Sequence, residues 1–326
     1  MSKRTAFVVV GIFFVALLFL TITLHSPAGD EQTATVLLTT QTTVTPGREF
    51  ANPEPITIQG YSGPQQDPVI SPDGQYLFFD SHNDAGLPMY IYMATRIDYK
   101  TFKFIGRVPG VNIEAVEGGV DLAHNFYLVS PLLLGQGGTT MGRGTFSNGT
   151  VTAIAPLKGI TPRSVPAGSE SLTFDIAITP DGGTLYFSEF ILKEGAGTGP
   201  RGIQSGNLSM ARKNPDGTFT RLPQSDEILK NVNGFGSMVY NASPSADGLE
   251  LAFNAAPYFG PFPKIYIATR TSTSEPFGKP VLVRAADEVA EGEQSEVGSI
   301  SPDAKHLYFH RVLSDKTSQI YVLMRK

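Results

Sequence analysis

Along most of this chain, short apolar runs alternate with one polar phrase. Ile70-Ser71-Pro72-Asp73-Gly74 leads into Tyr76-Leu77-Phe78-Phe79, and Ile178-Thr179-Pro180-Asp181-Gly182 leads into Leu185-Tyr186-Phe187. Ser245-Ala246-Asp247-Gly248 and Ile300-Ser301-Pro302-Asp303-Ala304 precede Leu249 to Phe253 and Leu307-Tyr308-Phe309 in the same way. Proline presets φ at the first central position of a turn, and aspartate and glycine tolerate the backbone that follows, so each phrase predicts a tight reversal between two strands. The apolar runs are β-prone and too short for helices. Third strands are expected at Met89 to Arg96, Asn207 to Lys213, Lys264 to Arg270 and Gln319 to Arg325, and fourth strands at Phe102 to Val108, Thr218 to Leu222 and Pro280 to Arg284.

One copy is degenerate: Val120-Asp121-Leu122-Ala123-His124 stands where the turn phrase belongs, while Phe126-Tyr127-Leu128-Val129 keeps the second strand in register. Turns near 73, 123, 181, 247 and 303 give a period of about 50 to 65 residues, at or above that of four-stranded propeller repeats. The fold predicted is all-β, a five-bladed β-propeller of four-stranded antiparallel blades. The last copy has only three strands before Lys326, so Pro55-Ile56-Thr57-Ile58 is expected to supply its fourth strand, closing the ring and removing an exposed edge.

The Ser-Pro-Asp-Gly turn, the Leu-Tyr-Phe strand and the Ile-Tyr-x-Ala-Thr-Arg strand resemble the WD40-like repeats of the TolB-like propeller group of bacterial and archaeal envelope proteins. Phe277-Gly278-Lys279-Pro280, before a fourth strand, is similar to that group too. The resemblance runs from Pro55 to Lys326 and departs from the group in the second copy. It implies the fold; for activity it implies docking platforms, ligand binders or parts of enzymes.

Ahead of the repeats, Lys3 and Arg4 precede an uncharged apolar stretch from Ala6 to Leu24, about long enough to cross a bilayer as a helix. Asp30 and Glu31 follow, so the positive-inside rule puts the amino terminus in the cytoplasm and the propeller outside. Residues 1–28 are read as a signal anchor, with a cleaved signal peptide ending at Ser26-Pro27-Ala28, and hence secretion, as the alternative. Residues 29–53, threonine-rich and little charged, are read as a linker, and residues 54–326 as the propeller. The net charge of -5 and a charged fraction of 17% supply no basic surface for nucleic acid. No cysteine is present for a disulfide or a lipid.

In an antiparallel hairpin the start of the first strand and the end of the second share one end, opposite the turn. The first set is Asp67, Glu117, Asp175, Asn241 and Glu296, and the second Asp80, Ser130, Ser188, Asn254 and His310. First strands line the channel of a propeller, so the first set predicts an acidic collar at one mouth. Crowded carboxylates raise one another's pKa or recruit a cation. Asp67, Glu117 and Asp175 are therefore the expected metal ligands, for calcium or magnesium if any cofactor binds. Asp67, Glu117, Asp175, Glu296, Asp80, His82, His310 and Arg311 are the expected ligand-binding residues of the mouth face. Tyr258, Phe259 and Phe262 form an aromatic, proline-stiffened loop expected to contact protein. Loops from Leu132 to Gly144 and from Glu194 to Gly206 are glycine-rich without phosphate-loop spacing.

The function expected is that of an extracytoplasmic, membrane-tethered platform that binds an unidentified protein or small ligand through one face, without chemistry of its own. The alternative is a metal-assisted hydrolase or lyase that uses the collar. Asp67-Pro68 is similar to the base-carrying segment of five-bladed glycoside hydrolases of the arabinanase type, which would make Glu117 and Asp175 the nearest counterparts of the other two acids. The lack of tryptophan counts against a sugar cleft.

Overall fold

The computed structural model describes residues 10–12, 17–25, 31–40, 50–81, 89–133, 139–193, 203–236, 238–256 and 263–326. Two compact units divide the chain, Met1–Glu49 and Phe50–Lys326. In the first, Val10–Ile12 (β1), Leu17–His25 (β2) and Glu31–Thr40 (β3) form one sheet in the order β1-β3-β2. The described part of the stretch from Ala6 to Leu24 is thus strand where a helix was expected, and no helix among the described residues is long and apolar enough to cross a membrane. Phe19, Thr21, Ile22 and Thr23 are aromatic or β-branched, residue types that suit a strand. Part of the expected linker, Glu31–Thr40, is likewise strand, and its threonines and Val36 have the same preference.

The second unit opens with Glu54–Pro55 (β4) and Thr57–Gln59 (β5). Among the described residues five antiparallel modules follow. The first is Gln66–Ile70 (β6), Tyr76–Asp80 (β7), Ile91–Arg96 (β8) and Thr101–Arg107 (β9). Val116–Val120 (β10), Asn125–Val129 (β11), Met141–Ser147 (β12) and Thr150–Pro156 (β13) make the second. The third has longer strands, Ser169–Ile178 (β14), Thr184–Lys193 (β15) and Ile203–Lys213 (β16), with Phe219–Arg221 (β17) outermost. Met238–Pro244 (β18), Glu250–Ala256 (β19), Lys264–Thr269 (β20) and Val281–Leu282 (β21) form the fourth. The fifth is Gln294–Ile300 (β22), His306–Val312 (β23) and Ser318–Met324 (β24), completed by β4.

The closing strand behaves differently from the expectation of a single strand over 55–58. Phe50 bridges Arg325, β4 pairs antiparallel with β24, and the Ile56 amide donates to the Ile320 carbonyl. Beyond Ile56 the chain changes partner, and β5 runs parallel to β9 of the first module. One short segment therefore stitches the last module to the first.

The second strand of each module is apolar on both faces because both faces are covered. Phe78 of β7 packs against Phe126 and Leu128 of the second module, whereas its neighbours Leu77 and Phe79 share a cluster with Tyr308, Ile320 and Val322 of the fifth. The same division recurs between second and third modules at Tyr127 and Phe187, third and fourth at Tyr186 and Phe253, and fourth and fifth at Ile267 and Phe309. The core is thus five apolar seams between successive modules, the last joining module five to module one.

The turn phrase holds its hairpins by a fixed set of bonds. The Ser71 hydroxyl donates to Asp73, the Tyr76 amide donates back to Ser71 Oγ at 2.9 Å, and the Gln75 amide donates to Asp73 Oδ1 at 3.0 Å. Thr179 with Asp181, Ser245 with Asp247 and Ser301 with Asp303 repeat it. These hydroxyl and amide donors hold the Asp181 and Asp247 carboxyls below their usual range. In the degenerate copy Asp121 takes the serine's place and accepts the Asn125 amide at 2.8 Å.

Candidate functional site

The collar position is a recurrent β-bulge. Asp67, Glu117, Asp175 and Asn241 have φ of 45°, 57°, 50° and 52°, in the left-handed region, and the first strand of every module slips register there. A bulge of this kind re-aims a side chain at the cost of an unpaired residue. The fifth residue of the set is a correction: the residue six before the turn aspartate is Val297, and Glu296 lies one position earlier, opposite His310. The acidic ring is therefore interrupted by Asn241 and Val297.

Most of the collar's acceptors are directed at the next module's backbone. Asp80 Oδ2 accepts the Glu117 amide at 2.8 Å, and Glu117 Oε2 accepts the Ile176 amide at 2.8 Å. Asp175 Oδ2, which also receives the Ser188 hydroxyl, accepts the Asn241 amide at 2.9 Å. Asn254 Oδ1 accepts the Val297 amide at 2.8 Å, and His310 Nδ1 accepts the Asp67 amide at 3.2 Å. Each of the five module junctions thus has one tie of this kind. A bulge frees a backbone amide from the ladder, and the neighbouring module satisfies it, as a buried donor requires.

Burial, with the Asp175 charge second, pushes Asp67 up to about 7. Burial and then the Asp67 charge drive Asp80 well above the usual carboxylate range, and Glu117 is raised strongly by burial and then by the Asp175 charge. Burial raises Asp175 too, against the lowering influence of Glu117 and the Ser188 hydroxyl. Burial also raises Glu296, to about 7 against the opposing effect of His310, and lowers His310. Burial, and then the Glu296 charge, raises Tyr240, which no sequence motif marks.

Asp67, Glu117 and Asn241 line a central cavity of about 80 Å³, bounded further out by Pro72, Pro180 and Pro302 of the turns. Space of that size holds a few waters. Small-molecule pockets are typically about 300 Å³ or more. Among the described residues the group with metal-binding geometry is Asp67, Glu296 and His310, in place of the expected Asp67, Glu117 and Asp175. Arg311 lies over the Phe309 and Tyr321 rings and donates to Ser295 Oγ, because at 8% exposure its charge needs partners. Ser130 and Ser188 are buried, and Ser130 donates to the Glu114 carbonyl. His82, Tyr258, Phe259 and Phe262 lie outside the described residues, as do 134–138 and 194–202 of the glycine-rich loops.

A second feature departs from the expected even blades. β14, β15 and β16 run on past the collar to Ser169, Lys193 and Ile203, raising a wall on the mouth face by about 15 Å at some 3.3 Å per residue. Phe190-Ile191-Leu192, an apolar run continuing the second strand, is the sequence signal for it. Beside it a groove of about 280 Å³ is lined by Arg163, Ser171, Glu189, Ile191, Asn207 and Asn233. Buried Glu189 accepts Arg163 Nε at 2.7 Å, Arg221 at 2.6 and 2.8 Å and the Ser209 hydroxyl at 2.6 Å, while Arg163 also pairs with Asp226. The two arginines and two acids balance, which leaves a polar groove without net charge.

No protein-family model matches the chain, and no curated protein matches it in sequence. Among solved structures it is similar to the catalytic domain of a Coprinopsis cinerea family 62 α-L-arabinofuranosidase, at 14% identity and TM-score 0.52, covering 85% of this chain and 97% of that one. TolB from Acinetobacter baumannii is similar at 15% identity and TM-score 0.37, covering 94% of this chain, which spans 60% of TolB's length. A family 117 glycoside hydrolase from Zobellia galactanivorans is similar at 12% identity and TM-score 0.46, covering 85% and 90%. The likeness is one of fold, of the propeller type.

Proposed function

We propose that this protein is a five-bladed propeller, tethered outside the cytoplasmic membrane by its amino-terminal segment, that binds a protein or small ligand on its mouth face without chemistry of its own. One observation carries this reading: the collar acids serve as acceptors for inter-module amides. Binding is assigned to the surface beside the β14–β16 wall, where the groove supplies amide and hydroxyl groups from Asn207, Asn233 and Ser171. The loop with Tyr258 and Phe262 is assigned to protein contact. Tyr258→Ala with Phe262→Ala is expected to reduce capture of a protein partner from a membrane extract while leaving the melting temperature unchanged. Undiminished capture would refute that assignment.

A hydrolase reading is favoured by one observation: Asp67, Glu117 and Asp175, all raised by burial, gather in the collar, and the Asp175 charge raises both of the others. One protonated and one ionised carboxyl is the pairing that glycoside cleavage uses. In that case Asp175→Asn abolishes turnover of a glycoside; full activity in that variant removes the reading.

A further inference from the structure

We propose that Asp67, Glu296 and His310 bind one first-row divalent cation, of the manganese or zinc type, which clamps the fifth module to the first. One ligand atom from each residue lies within 4.8 Å of the others. His310 Nδ1 is 3.5 Å from Asp67 Oδ1. Two donors about 2.1 Å from a tetrahedrally coordinated ion stand about 3.4 Å apart, so this separation is already that of a bound pair. The Asp67 amide points at Nδ1, which marks that nitrogen as unprotonated, the state in which imidazole ligates. Nδ1 has one lone pair, so an ion bound there replaces the amide tie of this junction rather than adding to it.

A second observation is independent of the trio. Asp80, 0% exposed, has a buried Oδ1 without a hydrogen-bond partner, and the Oε1 of Gln66, the residue before Asp67, is also buried and unpartnered. Gln66 and Asp80 face each other in register. A buried carboxylate oxygen without a donor lacks positive charge nearby, and a dication would neutralise Asp67 and Glu296 together. Half-buried Glu296 gives a route of access from the mouth.

The donor set chooses the ion. Calcium and magnesium take oxygen ligands, whereas an imidazole with carboxylates suits manganese and zinc. The ion's position explains why a clamp is needed there. His310 and Glu296 belong to module five and Asp67 to module one, the junction that chain continuity leaves for β4 and β5 to stitch. The clamp operates whether or not the mouth face binds a partner.

The test uses the full chain stripped with chelator and dialysed. Manganese binding is read from loss of the free-ion paramagnetic resonance signal, and melting is followed with and without the ion. The clamp predicts one manganese per chain, displacement by zinc but not by equal calcium or magnesium, and a rise in melting temperature. Glu296→Gln and Asp67→Asn should weaken binding by about tenfold or more. Asp67→Asn is expected to fold, because Asn241 holds the same left-handed position in module four. Absence of binding by the folded wild-type chain, or one manganese bound equally well by both variants, would overturn the proposal; displacement by calcium as readily as by zinc would overturn the assignment of the ion.

Discussion

At the turns, the fourth residue after the strand must adopt a left-handed backbone. Gly74, Gly182 and Gly248 do so at φ of 71°, 69° and 69°, but Ala304 and His124 hold the same position at 55° and 62°. A side chain there costs about 1 kcal/mol relative to glycine. Ala304→Gly is therefore expected to stabilise the protein by about 0.5 to 1 kcal/mol, less any gain in unfolded-state entropy, and to raise the melting temperature. A lower melting temperature would show that the Ala304 methyl makes contacts worth more than the strain. The turn chemistry was legible residue by residue because serine, aspartate and glycine each leave a local requirement in the sequence. The collar was only partly legible: a one-residue bulge puts Val297, packed into the seam, and not Glu296 at the fifth collar position, and bulges follow from pairing with a neighbouring strand, which no local residue type announces.

Between modules, the elements depend on a short stitched closure. Ile56, 3% exposed, donates its amide to Ile320 and places its side chain in the seam with Tyr308 and Val322. Ile56→Ala is expected to cost about 2 to 5 kcal/mol by urea unfolding, the range for a well-enclosed aliphatic side chain. A cost below about 1 kcal/mol would mean that the closing strand does not hold the ring. That a strand near Pro55 completes the last module could be read from the three-strand count. Its change of partner at Ile56 could not, since β5 pairs in parallel with a strand more than forty residues away. The wall of module three was not legible because its apolar continuation reads as one more core strand.

For the molecule as a whole, buried collar acids couple stability to pH. Glu117 is held well above its ordinary value, so the folded state binds a proton that the unfolded chain has released. That contribution is complete below about 4.5 and is lost as pH rises toward and past neutrality. The melting temperature of the wild-type chain is expected to fall between pH 5 and pH 8, and Glu117→Gln, which keeps an acceptor for the Ile176 amide, is expected to flatten that fall. An unchanged slope in the variant would place the effect elsewhere.

The proposed function rests on collar acids that tie modules together and cleave nothing. The measurement that reaches this most directly is hydrolysis of a panel of chromogenic glycosides, α-L-arabinofuranosides included, by the full chain and by its Glu117→Gln variant between pH 5 and pH 8. Equal background rates for the two proteins are the predicted result. Turnover by the wild type that falls by about a hundredfold or more in Glu117→Gln, the scale of a lost general acid or base, would contradict it.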